Sequence, residues 1–410
     1  MGLKIIYTAQ RNGKIAFQTG NVKQNRMFIR KLHIENWKNF RSGEVRLARR
    51  LFLIGPNASG KSNFLDVFRF LRDLGLSKGG GFRQAVEARG GVSAIRCLAA
   101  RQYSDIVVEV EIQENSGKDG VWKYRLSFNQ DNISRPLIKE ELVEYDGVVR
   151  LKRPDDKDNA DPMRLTQTAL EQITANQSFR PIVNFLQSIS YQHLLPQVIR
   201  DPSGFSPGQI DNDPFGRDFL QRVENTSTRV RDSRLRKILS ALQVAAPQLR
   251  ELTVTRDKFG TPHLVGWFEH WRPQAGKQNE TQFSDGTLRL FGLLWSLFEG
   301  DGPLLMEEPE LSLHSEVVSR LPQMIERINR QRKIKRQVVI STHSEEILSD
   351  PGIGGEEVLR LEPSGDGTLF KSPSDSPDEI EQLQNGLTIA DVVLPKSAPA
   401  HASQLDFCFD

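Results

Sequence analysis

The sequence predicts an α/β fold: a mixed sheet with flanking helices, interrupted by an inserted β and helical subdomain. Three observations predict it. An apolar run, Leu51-Phe52-Leu53-Ile54, enters a glycine-rich turn and leaves as an amphipathic helix from about Lys61 to Leu74. Two more short apolar runs, Leu304-Leu305-Met306 and Val338-Val339-Ile340, end in polar residues and alternate with helical segments, the pattern of buried parallel strands. Between these halves the spacing switches first to period two and then to helical repeats.

Taken in chain order, residues 1–26 are polar, lack a clean period and read as an extension without an apolar leader core. Residues 27–80 read as the first part of the main α/β domain, with strands at Phe28–Glu35, Glu44–Leu47 and Leu51–Ile54 before the glycine turn. Residues 81–150 read as antiparallel β, with strands at Asp105–Ile112, Val121–Asn129 and Glu140–Tyr145. Residues 151–248 read as a helical insertion: an acidic, solvated loop at 153–162, then helices over 163–200 and 214–248. Residues 249–372 return to strand pattern and then alternate helix and strand, and 373–410, rich in Pro, Ser and Asp, read as a weakly structured tail.

Composition narrows the class. Of 410 residues, 38% are hydrophobic and 26% charged, ordinary for a globular protein. No run approaches the ~20 apolar residues of a membrane span. Cys97 and Cys408 stand in unrelated contexts and form neither a disulfide framework nor a metal site, so a cytoplasmic, reducing compartment is expected. A net charge of +3 permits a nucleic-acid partner without arguing for one.

The segment Gly55-Pro56-Asn57-Ala58-Ser59-Gly60-Lys61-Ser62 matches G-x-x-x-x-G-K-[ST], with a strand before it and a helix after it. Its glycines let backbone N–H groups turn toward phosphate oxygens, and the helix N-terminus adds partial positive charge. Lys61 is expected to reach the β- and γ-phosphates of ATP, and Ser62 to place its hydroxyl on Mg²⁺.

Leu304–Met306 runs into Glu307-Glu308-Pro309-Glu310. A strand beside a phosphate loop that ends in a carboxylate can hold the metal, which assigns Glu307 to Mg²⁺ and Glu308 to the attacking water as general base. Val338–Ile340 runs into Ser341-Thr342-His343-Ser344, where the His343 imidazole can bond the γ-phosphate and that water. Finally, Ser284-Asp285-Gly286-Thr287 opens an apolar helix and makes a second anion site at a helix N-terminus. One chain already has a phosphate cradle. The second site is explained if it covers the γ-phosphate held by another copy.

These segments, in this order, resemble the P-loop ATPase heads of the ABC class in the SMC and RecF group, and most of all the OLD-like ATPases of bacterial genomes. The residues that carry the resemblance are Asn36–Phe40, Gly55–Asn63, Ser284–Arg289, Leu305–Glu310 with Leu313-His314, and Ser341–Ser344. It implies ATP-driven head-to-head dimerisation, a dimer-contact loop at Glu310–His314, and an adenine and sugar site near Asn36, Lys38, Asn39 and Phe40. It also implies an effector partner, often a nuclease or Toprim protein encoded nearby, in phage defence or DNA repair. The chain departs from the pattern in carrying Glu307 where Asp is common. Its signature reads Ser-Asp-Gly-Thr, and no Q-loop glutamine is evident among Gln84, Gln102 and Gln113. The 222-residue gap from Ser62 to Ser284, filled by an insertion, and the Ser-Asp-Gly-Thr signature in place of the transporter-type Ser-Gly-Gly-Gln argue against a transporter subunit. A scaffold held together by ATP with negligible turnover is the alternative.

Two basic runs, Arg330-Arg332-Lys333-Lys335-Arg336 and Arg229-Arg231-Arg234-Arg236-Lys237, read first as solvated faces, with DNA contact as the alternative.

Overall fold

The computed structural model describes residues 27–76, 79–100, 104–114, 120–201, 213–272 and 275–397. The extension expected at 1–26 and the candidate Gln102 lie outside the described residues. The described chain opens with β1 (Met27–Trp37), β2 (Phe40–Arg46), β3 (Arg50–Ile54), α1 (Lys61–Gly75), α2 (Phe82–Glu87) and α3 (Val92–Ile95). It continues through β4 (Ile106–Glu114), β5 (Val121–Gln130), β6 (Pro136–Tyr145), β7 (Val148–Arg153), α4 (Asp156–Ala160), α5 (Arg180–Gln187) and β8 (Ser190–Gln192). Next come α6 (Pro196–Arg200), α7 (Phe219–Asn225), α8 (Thr228–Ala245), β9 (Leu249–Arg256), β10 (Pro262–Phe268), β11 (Lys277–Asn279) and α9 (Asp285–Phe298). The chain then forms β12 (Leu304–Glu307), α10 (Ser315–Val318), α11 (Leu321–Gln331), β13 (Val338–Ser341), α12 (Glu345–Leu348), β14 (Val358–Ser364), β15 (Gly367–Lys371), α13 (Pro377–Gln384) and α14 (Ile389–Ser397).

The central sheet has the order β15-β14-β3-β13-β12-β8. All its pairings are parallel except β15 on β14. Alternation sorts its side chains onto two faces. Leu51, Leu53, Leu305 and Val339 pack with Phe64, Phe68 and Leu71 of α1. Phe52, Ile54, Leu304, Met306, Val338 and Ile340 pack with α9 and its neighbours, including Phe291 and Trp295. Both faces are covered, which is why these strands read as continuous apolar runs.

An antiparallel sheet, β2-β1-β4-β5-β6-β7, extends the α1-side core. A bulge in β1 between Ile29 and Lys31 interrupts the ladder. There the Gln337 side chain accepts from the Ile29 N–H at 3.0 Å and donates to the Ile29 carbonyl at 2.8 Å, fastening this sheet to the foot of β13. A third sheet, β11-β10-β9, packs with α7 and α8 on the α9 side.

Four expectations need correction. The segment 163–200 is not continuous helix: it contains β8, an edge strand of the central sheet, so 151–248 is not a purely helical insertion. The sixth and edge strand of the antiparallel sheet, β7, reaches into it as well. The acidic stretch 153–162 is solvated at most positions, as expected, but it is not all loop: it forms α4, and Arg153 and Asp158 are buried. Asp158 is 1% exposed, because its carboxylate binds the buried Arg153 guanidinium at 2.9 Å, which also meets Glu141 at 3.0 Å. Residues 373–397 are not weakly structured. Arg360 of β14 bonds Glu379 of α13, and Ile389, Val392 and Val393 of α14 are buried in the α9-side core.

Candidate functional site

The phosphate loop lies at the C-terminal end of β3, between β13 and β14, where ligands of open α/β sheets bind. Gly60 has φ 99°, and a Cβ there would meet Asn39 Nδ2 at 2.1 Å, so only glycine allows this approach. The loop is braced from behind. Asn39 Nδ2 and the Thr368 hydroxyl both donate to the Ser59 carbonyl, at 2.9 and 3.0 Å, and Asn63 donates to Asn39 Oδ1 at 2.8 Å. Lys61 folds over the loop, donating to the carbonyls of Gly55 at 2.9 Å and Pro56 at 3.2 Å. Burial lowers its pKa, and Glu308, Glu307 and Glu310 pull it back up.

Leu305 and Glu307 of β12 share the face toward α1, as alternation requires. The Ser62 hydroxyl donates to one oxygen of Glu307, and the Tyr191 hydroxyl of β8 donates to the other. Glu308 follows with φ 45°, a left-handed backbone unusual for a side-chain-bearing residue. Its carboxylate lies 3.7 Å from His343 Nε2. Burial and the nearby Lys61 charge hold His343 below the ordinary imidazole pKa, while Glu308 opposes them. Glu310 accepts from the Thr342 hydroxyl at 2.6 Å and from the His343 N–H at 3.3 Å, tying the carboxylate turn to the end of β13. Burial raises its pKa.

These groups fit a divalent cation. A hydroxyl and a carboxylate meet directly at the ends of α1 and β12, an all-oxygen donor set suited to Mg²⁺. On the other face, Gln192 ends β8 beside Met306. Its Oε1 is buried and unpartnered, and it lines a small cavity with Glu307 and Arg289.

The segment Ser284–Thr287 begins α9. Ser284 is exposed, and its Oγ accepts from the Thr287 N–H at 3.1 Å, an ordinary N-cap. Asp285 is held by Arg200 at 2.6 Å and Gln197 at 3.0 Å, so it braces α6 against α9. Gly286 stands where a Cβ would meet the Ser312 carbonyl at 2.8 Å, which brings the helix start against the 310–314 loop.

Not every predicted contact assembles. Phe40 is fully buried, packed on Phe64 and Phe370, so it cannot stack on adenine. Asn36 is 2% exposed, and its Oδ1 accepts from the Cys97 N–H at 2.9 Å, away from solvent. Lys38 pairs with Asp66 at 2.8 Å. Asn39 does meet the phosphate loop, as a brace. Gln84 is exposed on α2, and Gln113 lies in β4 accepting from Arg30, so neither joins the site. Tyr191 and Gln192 were missed. Their strand is three residues long, too short for a period, and only its pairing with β12 reveals them.

The basic runs are partly internal. Arg336 is 3% exposed and donates to the carbonyls of Ser296 at 2.7 Å and Glu299 at 2.6 Å, capping the C-terminus of α9. Arg332 does the same through Leu297, at 2.7 Å. Arg231 pairs with Glu224 at 2.5 Å, and Arg234 lies over the Trp295 ring.

The chain matches a family model described as "AAA domain, putative AbiEii toxin, Type IV TA system" over residues 51–349. It is 28% identical over 112 residues to the DNA replication and repair protein RecF of Synechocystis sp., covering 27% of this chain and 28% of that protein. RecF of Acaryochloris marina is 25% identical over 112 residues, with the same coverage. The match thus spans under a third of the length of these curated relatives. Among solved structures, an SMC head bound to the C-terminal winged-helix domain of ScpA aligns with a TM-score of 0.52 at 12% identity, covering 84% of this chain and 98% of that one. That likeness concerns the fold, which is the P-loop ATPase head of the ABC class.

Proposed function

The chain belongs to this AAA-domain family, within the SMC and RecF group of ATPase heads, and from that premise we propose that it is an ATP-hydrolysing switch. It binds ATP on the phosphate loop, closes head to head with a second copy, and in that state gates a partner effector of nuclease type in phage defence or DNA repair. One observation carries the reading. The phosphate loop, the Glu307–Glu308 pair and His343 meet at the C-terminal ends of three adjacent parallel strands, β3, β12 and β13. Separated by up to about 280 positions in the chain, they become one site only through the sheet.

Lys61 exchanges two loop carbonyls for phosphate oxygens, and its burial limits competition by water. Ser62 and Glu307 would hold Mg²⁺, which would supply charge neutralisation at the β- and γ-phosphates. Glu308, its carboxylate 3.7 Å from the His343 imidazole, orients the attacking water and accepts its proton. His343, neutral in the physiological range, bonds that water or the γ-phosphate. Among the described residues Ser284 bonds within α9, and it faces solvent, which supports its anion site covering the γ-phosphate of the other copy.

The test is Glu308→Gln. Turnover is expected to fall about 10²–10⁴-fold. Light scattering should show a doubled mass with ATP and a monomer without it. A variant that stays monomeric with ATP rejects the dimer switch. A wild type that dimerises without turnover makes the protein an ATP-dependent scaffold.

A further inference from the structure

The metal carboxylate of this chain is a glutamate, whose extra methylene gives it one more rotatable bond than aspartate. A looser carboxylate costs metal affinity unless something else fixes it. Here both oxygens are engaged. One accepts from Ser62; the other accepts from Tyr191 on the neighbouring edge strand. The phenol is itself fixed. Its residue is 8% exposed, its strand pairs with β12 so that Tyr191 stands opposite Leu305, and the Arg69 guanidinium of α1 lies 4.5 Å from its ring centroid. Arg69 is in turn oriented by Asp66 at 3.7 Å. The ring is therefore held between α1 and the sheet, with its hydroxyl aimed at Glu307.

We propose that Tyr191 is a positioning residue for the metal site. Its hydroxyl locks the outer oxygen of Glu307, so that a glutamate does in this chain what a shorter aspartate can do without help. The proposal rests on the metal reading of Glu307 given above. It requires that the lock matter for glutamate and be irrelevant for aspartate, whose carboxylate falls short of the phenol.

The experiment measures equilibrium binding of a fluorescent, slowly hydrolysed ATP analogue to the full chain across a Mg²⁺ titration. Tyr191→Phe keeps the ring and its Arg69 contact and removes only the donor. It is expected to leave binding without metal unchanged and to raise the half-saturating Mg²⁺ concentration about tenfold. In a Glu307→Asp background, Tyr191→Phe is expected to change that concentration less than twofold, the coupling a double-mutant cycle isolates. A purely structural role would instead weaken metal-free binding and lower the melting temperature by the same amount in both backgrounds. An unchanged Mg²⁺ dependence in Tyr191→Phe, or an equal loss in the Glu307→Asp background, overturns the proposal alone. A wild type whose binding shows no Mg²⁺ dependence overturns the metal reading of Glu307 and the proposal with it.

Discussion

His343 and Lys61 sit close enough that the charge of one depresses the proton affinity of the other. The sign follows from where the proton goes. The folded-state pKa of His343 lies below the ordinary 6.5, so the unfolded chain takes up a proton first as pH falls. Its contribution to stability is thus whole above pH 6.5 and declines as pH drops below that value toward the folded pKa. The His343 ring protons, followed by NMR, should titrate below 6.5 in the wild type, and the midpoint should rise in Lys61→Ala. A midpoint unmoved by Lys61→Ala would show that burial alone sets it. At this scale the sequence was legible wherever chemistry is local. The phosphate loop and the Glu307–Glu308 pair are each contiguous, so their places at the ends of β3 and β12 could be read from their neighbours in the chain. Phe40 was not legible, because an aromatic residue beside a turn reads the same whether it faces a base or the core. Only its packing on Phe370 of β15 decides.

Among elements, α9 is fastened at both ends. Its C-terminal carbonyls take Arg336 and Arg332, and its first turn lies against the 310–314 loop through Gly286. Gly286→Ala places a methyl carbon 2.8 Å from a backbone oxygen, and backbone yields less easily than a side chain. The expected cost is about 1–3 kcal/mol, the range of overpacking, read as a lower midpoint in urea unfolding. Unchanged stability would mean that the loop moves freely away from α9. The long strands and the helices α1, α8 and α9 were visible from their periods. The strand β8 was not, since three residues set no period and the flanking stretches look helical. The run ending in Arg336 looked solvated because charge is local information, whereas the carbonyls that bury the guanidinium come from a helix some 40 positions earlier.

Across the whole molecule, the nucleotide cradle depends on segments far apart in the chain. The Thr368 hydroxyl on β15 holds the Ser59 carbonyl over 309 positions. Thr368→Val removes that bond and keeps the shape. Nucleotide affinity is expected to drop about fivefold, the equivalent of roughly 1 kcal/mol, with no loss of the folded signal in circular dichroism. An affinity equal to wild type would assign the bracing to Asn39 alone. The division into a phosphate-loop part and a later carboxylate part was legible from order and spacing. The order of the sheet was not, because parallel neighbours are chosen by tertiary packing.

The position of β3 has a consequence for how the protein is made. Both strands that flank it, β13 and β14, are translated about three hundred codons later, and β15, whose Thr368 latches the loop, is later still. A chain still growing on the ribosome therefore carries its lysine and its glycines from early on with the Asn39 brace but without the flanking strands or the Thr368 bond. The cradle is complete only once β13, β14 and Thr368 have been made, so any product cut short before Thr368 lacks the latch.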